Sequence, residues 1–218
     1  MKKALLSLFF ALSFFIGKAQ WVNIPDTNFG NWLVQYYPSN CVQGNPQIGF
    51  QMDTLSTMDS TLPVTTLDLS NKNLTDVSGL EYLRWQDPNC WGCTQRTLDL
   101  SYNELKKMPK GLGVEDVHLN LSHNQIDTAE FTYAYYNIYD INLSYNHLKY
   151  VINQVTGTYL YLTDLNFDYN DLNALPYFGT TNDNQLHIRK NNFTSMPLIS
   201  FRNNYIDCGE NLITSITN

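Results

Sequence analysis

Basic residues are scarce in this sequence of 218 residues. Lys and Arg together number 13 against 20 Asp and Glu, which gives a formal net charge of −7. A nucleic-acid-binding protein needs a basic face, so this balance argues against that class of function. Charged residues of both signs make up only 15% of the chain, whereas hydrophobic residues make up 43%. Such a composition can bury a core and excludes an intrinsically disordered chain.

Long apolar runs are also lacking, except for one at the start of the chain. Residues 1–3 are basic at two positions, residues 4–16 are almost entirely apolar, and small residues stand at Gly17 and Ala19. The run is too short to span a bilayer, and this order is typical of a secretory signal peptide. We therefore predict a signal peptide over residues 1–19, cleavage before Gln20, and no membrane insertion. The mature chain would be secreted or would lie in the periplasm or on the cell surface.

Asn is the residue in excess, with 26 copies, and its placement follows an internal repeat. Each copy has apolar residues at its first, third and eighth positions, and every copy except the first has Asn at its sixth position. An example is Leu-Asn-Leu-Ser-His-Asn-Gln-Ile at 119–126. Alternation of this kind predicts a short strand with one buried face, followed by a turn. Seven copies occur, at 67–74, 98–105, 119–126, 141–148, 165–172, 186–193 and 206–213.

This pattern resembles the leucine-rich repeat, whose core is L-x-L-x-x-N-x-L on a period of 20 to 29 residues. The stretch at 22–29 is similar to the opening of internalin-like secreted bacterial proteins, and Asp26 is a plausible N-cap for a helix that follows it. The resemblance implies an α/β repeat solenoid. We expect a right-handed leucine-rich repeat horseshoe or arc, with a parallel concave sheet and a small helical N-terminal cap. The predicted units are the signal peptide at 1–19, the cap at 20–63 and the solenoid at 64–218, with an insertion at 84–95.

Stacked copies place the Asn of each repeat in one column, where its side chain can bond backbone groups that the turn leaves unpaired. The first repeat departs from the pattern, with Lys72 at that place. The predicted Asn ladder is Asn103, Asn124, Asn146, Asn170, Asn191 and Asn211.

Cysteine is rare, with four copies. Cys208 falls on an inward strand position, which predicts a buried free thiol. A disulfide is favoured in an exported protein, and Cys41, Cys90 and Cys93 are its candidates. One alternative joins Cys41 to one member of the pair in the insertion, and the other joins Cys90 to Cys93. No arrangement typical of a catalytic triad, a zinc site or a thioredoxin-like redox motif is found, so we expect no cofactor and no metal.

The residues between the inward positions should face outward on the concave surface. Three Tyr and one His follow one another in consecutive repeats there, beside a column of carboxylates and amides, and tyrosine is enriched in recognition surfaces. The alternative is a solvated face whose aromatic residues merely suit strands. The predicted ligand-binding residues are Asp99, Tyr102, His118, His123, Asp140, Asn142, Tyr145, Asp164, Asn166, Tyr169 and His187.

The most direct functional interpretation is an exported, non-catalytic binding module for a protein or a glycan. Without residues 1–19 the chain keeps 10 basic against 20 acidic residues, which favours a basic or cation-bridged partner. The alternatives are a structural or self-assembling surface unit and, with less support, the substrate-positioning part of a secreted enzyme. No polar segment follows the seventh repeat, so we also expect this repeat to fray or to associate with a second copy, the remaining alternative being a chain that is truncated relative to its relatives.

The signal-peptide prediction is tested by mass spectrometry of the N-terminus. A chain recovered from outside the cytoplasm should begin at Gln20, because the small residues at −3 and −1 fit signal peptidase. Recovery of an intact Met1 in that fraction would contradict the prediction.

Overall fold

A computed structural model describes residues 21–38, 41–43, 50–53, 66–83, 96–109, 117–131, 138–154, 163–176, 184–197 and 203–214. The predicted signal peptide and the insertion at 84–95, with Cys90 and Cys93, lie outside these residues. The structure is a repeat solenoid with a parallel sheet, and the described part contains little helix.

The N-terminal part combines one helix with a small antiparallel sheet. It contains β1 (Trp21–Ile24), α1 (Thr27–Tyr36), β2 (Cys41–Gln43) and β3 (Phe50–Asp53), and β3 pairs antiparallel with both other strands. The helix begins directly after its N-cap Asp26, as the sequence predicts, and buries Phe29, Trp32 and Leu33.

Each of the seven sequence copies supplies one strand of a parallel sheet. Neighbouring strands pair with their inward apolar residues in register, as for Leu98, Leu119 and Ile141. The strands are β4 (Thr66–Asp68), β5 (Arg96–Asp99), β6 (Val117–Asn120), β8 (Ile138–Asn142), β10 (Asp164–Asn166), β11 (Asn184–His187) and β12 (Asn203–Asp207). Their order in the sheet is β12-β11-β10-β8-β6-β5-β4.

Three apolar positions of each repeat form the core of the solenoid. Two lie on the strand or directly after it, and the third follows the turn. In the first six repeats all three are at most 4% exposed. A single repeat has no layer on either side to cover these residues, so the stack as a whole forms the core. They are Leu67, Leu69, Leu74, Leu98, Leu100, Leu105, Leu119, Leu121, Ile126, Ile141, Leu143, Leu148, Leu165, Phe167, Leu172, Leu186, Ile188 and Phe193.

The last repeat is less covered than the others. Ile206, Cys208 and Ile213 occupy the same three positions but are only half-buried. Cys208 carries a free thiol, as predicted, although it is less buried than the sequence suggests.

The Asn side chains join each repeat to the one before it. Oδ1 of Asn124 accepts a hydrogen bond from the backbone N–H of Leu105 at 3.0 Å, and Nδ2 donates to the carbonyl of Leu100 at 3.0 Å. The same Nδ2 donates to the carbonyls of Leu121 and Ser122 in its own turn. These bonds satisfy backbone groups that neither the sheet nor the turn can pair. Equivalent bonds are made by Asn103, Asn146, Asn170, Asn191 and Asn211.

The segments that lead from the turn of one repeat back to the strand of the next are called the return side below. They contain a short 3-10 helix (Leu80–Tyr82) and a two-stranded parallel sheet. Its strands are β7 (Thr128–Phe131) and β9 (Tyr150–Asn153), and Glu130 pairs with Ile152. The repeats on either side carry Pro109 and Pro176 at the positions of these two residues. Proline lacks the N–H that a sheet ladder requires, so the pair forms only where both neighbouring repeats lack proline.

Asp26 connects the N-terminal helix to the first repeat. Its Oδ1 accepts from the N–H of Phe29 at 2.9 Å, which caps the helix. Its Oδ2 accepts from the N–H and the hydroxyl of Thr75 at 2.7 and 2.8 Å. Burial alone would raise the pKa of this carboxyl, but the hydrogen bonds from Phe29, Thr75 and Asp76 outweigh burial and lower the pKa below 3.8.

Cys41 lies in β2 and is buried. Burial raises the pKa of its thiol to about 11, which disfavours the reactive thiolate. Within the described residues its thiol is free, and its two predicted partners lie outside them. No helix in the described part of the chain is both long and apolar enough to cross a membrane.

We predict that Asp26→Ala lowers the free energy of unfolding by about 2–4 kcal/mol, because it removes a helix cap and leaves N–H groups of the first repeat without an acceptor. The lowered pKa adds a pH signature. The ionised carboxylate stabilises the fold above its ordinary pKa of 3.8, and this contribution disappears as the pH falls through the lower pKa of the folded state.

Urea unfolding of the parent and of Asp26→Asn, measured from pH 2 to pH 7, tests this pH dependence. The parent should lose more stability than the variant towards low pH. The exposed Asp171→Asn is the matched control and should follow the parent. Equal pH profiles for the parent and Asp26→Asn would contradict the prediction.

Candidate functional site

The solvent side of the seven-stranded sheet, called the strand face below, carries three columns of side chains. The parallel register brings Thr97, His118 and Asp140 side by side, and Asp164 lies beside Asp140. The second column includes Asp99, Asn120, Asn142, Asn166 and His187. The third column follows the strand ends.

Four rings of the third column form a continuous stack. We call Tyr102, His123, Tyr145 and Tyr169 the aromatic stripe. The ring centroids are 4.2 Å apart from Tyr102 to His123, 4.4 Å from His123 to Tyr145 and 4.2 Å from Tyr145 to Tyr169, with interplanar angles of 9° to 13°. Tyr102 and Tyr145 are 59% and 43% exposed. The repeat pattern predicts these residues side by side, and in the structure their rings also lie face to face.

Every residue of the stripe has a left-handed backbone. The φ angles of Tyr102, His123, Tyr145 and Tyr169 are 54°, 54°, 54° and 56°. This conformation is rare for residues other than Gly, Asn and Asp, and it costs about 1–2 kcal/mol for a residue with a Cβ. Each N–H in turn donates to a carbonyl of the next repeat, as from Tyr145 to Asp168 at 3.0 Å. The inter-repeat bonds therefore hold the strained conformation in place.

The two ends of the stripe differ. The ammonium group of Lys190 lies over the ring of Tyr169, 4.8 Å from its centroid, which is a cation–π contact. At the other end, the preceding repeat offers Asn71, which is also left-handed and exposed. Tyr102 is the most exposed ring of the stripe.

Asp99, Asn142 and Asn166, all predicted ligand contacts, hold the end of their own strand. Their Oδ1 atoms accept from backbone N–H groups two residues later, at 2.9, 3.0 and 2.9 Å. Asp and Asn form such turns readily, because their short side chains reach the backbone two residues on. An Asp or Asn two residues before the Ser of the repeat is a sequence signal for this structural role.

Carboxylates and imidazoles form two pairs on the strand face. Nδ1 of His118 lies 2.6 Å from Oδ2 of Asp140, and Nε2 of His187 lies 3.6 Å from Oδ1 of Asp164. The same Oδ1 is buried and has no hydrogen-bond partner among the described residues. The four predicted residues thus come together as a histidine, two neighbouring aspartates and a histidine across four strands.

Two carboxyl groups in this region, those of Asp164 and Asp168, have a pKa above that of free aspartate. Burial raises the pKa of Asp164, and the like charges of Asp140 and Asp168 raise it further against the opposing effect of His187. Burial also raises the pKa of Asp168, and a hydrogen bond from the N–H of Arg189 partly offsets this. Desolvation is the largest cause of both raised pKa values, and like charges nearby add a smaller contribution.

A bulge that the sequence analysis missed shapes this region. Val117 pairs with Ile138 and His118 pairs with Asp140, so Tyr139 is an extra residue in β8. Bulges redirect side chains, and the ring of Tyr139 stacks at 6.1 Å from that of His118. The spacing of the copies does not reveal this bulge, because the step of 24 residues between the fourth and fifth copies has none and the step of 20 residues between the last two copies has one.

No group of three or more His, Cys, Asp or Glu side chains in the described ranges is placed to hold a metal ion. Neither the protein-family models nor the curated proteins compared with this chain match it.

We predict that Tyr145→Gly is more stable than Tyr145→Ala by about 1 kcal/mol, although glycine normally destabilises regular structure. Glycine adopts a φ of 54° without cost, whereas alanine retains the Cβ strain, and both variants lose the ring. Urea unfolding followed by circular dichroism measures the difference.

The exposed Glu130 in strand β7 serves as the control position, because its backbone is extended. There Glu130→Gly should be less stable than Glu130→Ala. If the glycine variant is less stable than the alanine variant at Tyr145 as well as at Glu130, the left-handed conformation of Tyr145 is contradicted.

Proposed function

We propose that this protein is an exported, non-catalytic binding module that recognises a protein or a glycan through its strand face. The observation that carries the proposal is the aromatic stripe, in which four rings are stacked, half-exposed or exposed, and held by backbone bonds. Large, rigid and amphipathic rings lose little entropy on binding, which favours recognition.

We further propose that the solenoid is a leucine-rich repeat array of right-handed, curved form, and that residues 20–63 are its N-terminal cap. The seven in-register copies and the column of Asn bonds support the first part. The bonds from the first repeat to Asp26, and from the Asn28 side chain to the carbonyl of Asn73 at 3.0 Å, support the second. Export after removal of residues 1–19 completes the proposal.

One observation favours a second candidate function, a self-assembling surface unit. Ile206, Cys208 and Ile213 are only half-buried, and Leu212 is 61% exposed. Apolar side chains that are only half-buried or exposed invite association with a second copy. Sedimentation velocity over a range of concentrations separates this candidate from recognition by a monomer.

We predict that replacing Tyr102, Tyr145 and Tyr169 together with Asn weakens ligand binding about tenfold or more, because aromatic anchors carry much of the energy at recognition surfaces. Asn tolerates the left-handed backbone, so the fold should persist. The ligand is first found with a glycan array and a pull-down from an envelope fraction, and affinities are then measured for the parent and the triple variant.

Tyr150→Asn on the return side is the control, since Tyr150 is 64% exposed and lies outside the strand face. By contrast, Leu121→Ala removes part of a core side chain, so it should destabilise the fold by about 2–5 kcal/mol. If the triple variant binds the ligand as tightly as the parent, the stripe is not the recognition surface.

A further inference from the structure

The stacking within the stripe determines what a ligand can touch. The faces of His123 and Tyr145 are covered by the rings on both sides, at 4.2 to 4.4 Å. A ligand therefore meets ring edges and hydroxyl groups along the stripe, and ring faces only at its ends. The three centroid-to-centroid distances together span about 13 Å, which is the length of about four residues of extended chain.

One end face already receives a cation from the chain itself. Lys190 places its ammonium 4.8 Å from the centre of the Tyr169 ring. The negative face of an aromatic ring attracts such a charge. The opposite end, Tyr102, is 59% exposed, and its neighbour in the preceding repeat is the uncharged Asn71.

The carboxylates of the strand face lie within electrostatic reach of the stripe. The N–H of Tyr145 donates to the backbone carbonyl of Asp168 at 3.0 Å, and the charge of Asp168 contributes to the raised pKa of Asp164. Within the described residues the ion-pair partners of Asp140 and Asp164 are histidines, and the guanidinium of Arg189 is engaged by Glu210. No permanently charged side chain forms an ion pair with either aspartate in the described part of the chain.

We infer that the strand face binds a basic, extended polypeptide segment, whose lysine or arginine side chains pair with Asp140 and Asp164 and meet the exposed ring face of Tyr102 or the tyrosine hydroxyl groups of the stripe. This inference rests on the proposed recognition function and names the chemistry of its partner. Charge complementarity supports it, because the chain carries 20 acidic against 13 basic residues. A cation entering this face gains attraction from carboxylates that now repel each other.

The probe is a fluorescein-labelled peptide of five Lys-Ser repeats, with (Gln-Ser)5 and (Glu-Ser)5 as matched neutral and acidic peptides. Fluorescence anisotropy should show binding of the basic peptide by the full chain and a loss of affinity between 50 and 300 mM salt, since exposed charges are screened. Equal or tighter binding of the neutral or acidic peptide would overturn the inference.

Two variants of the face should change the affinity in opposite directions. The double variant Asp140→Asn with Asp164→Asn should bind the basic peptide about tenfold more weakly, as expected for the loss of two partly exposed ion pairs. Lys190→Gln should bind it about threefold more tightly, because it frees the face of Tyr169 for a ligand cation. Misfolding cannot produce such a gain.

Variants on the return side match these charge changes. Asp127→Asn with Glu130→Gln removes two exposed carboxylates, and Lys149→Gln removes one exposed ammonium. Both should keep the parent affinity within about twofold if binding is local to the strand face. A return-side pair that weakens binding as much as the Asp140 and Asp164 pair would show that only the net charge matters and would overturn the inference.

The glycan array separates this inference from the proposed function. A chain that binds a glycan through the stripe, but not the basic peptide, keeps its recognition function and loses the assignment of a basic partner. A chain that binds the basic peptide equally well without the three tyrosines of the stripe also contradicts the inference.

Discussion

The hydrogen bonds of one buried amide in each repeat are the interaction on which the rest of the structure depends. Each Asn of the column accepts from a backbone N–H of the preceding repeat and donates to carbonyls of both repeats. Losing one of these amides would leave several buried backbone groups unpaired, at about 1–3 kcal/mol each. The column therefore fixes the distance and the register between repeats, and the rings outside the sheet inherit that spacing. Their separation of 4.2 to 4.4 Å is close to the distance between strands.

The parallel sheet could be predicted from the sequence because the same short pattern occurs seven times. Identical copies must pair in register if their inward residues, such as Leu119 and Ile141, are to share one core. The sheet formed by β7 and β9 could not be predicted this way, because the return segments differ between repeats in length and composition. Only the absence of proline can be read from the sequence, since Glu130 and Ile152 stand eleven residues after the start of their copies, where other copies have proline. That absence permits a pair of strands but does not by itself predict one.

The candidate site was predictable in its location but not in its geometry. The repeat pattern places Tyr102, Tyr145 and Tyr169 at the same turn position of three repeats, directly after the strand. Their left-handed backbone could not be predicted, because tyrosine carries no preference for that conformation and only Asn71 in the same column hints at it. The hydrogen bonds that the side chains of Asp99 and Asn142 accept from their own turns could not be predicted either, since the same residue types occur in turns and in ligand contacts.

The choice of residues in the stripe is not explained by stability alone. A left-handed backbone costs each ring-bearing residue about 1–2 kcal/mol, whereas a stacked aromatic pair contributes about 0.5–1.5 kcal/mol. Four such residues cost about 4–8 kcal/mol, whereas their three stacks contribute about 1.5–4.5 kcal/mol, so stacking does not offset the strain. Gly would fill the same positions without strain and Asn with little, as Asn71 does. The left-handed backbone itself belongs to the turn of the repeat, since Asn71, Lys190 and Glu210 share it. What needs another explanation is the choice of four neighbouring aromatic rings at this position. With Tyr102 and Tyr145 exposed, that choice favours selection for contact with a partner over selection for the fold.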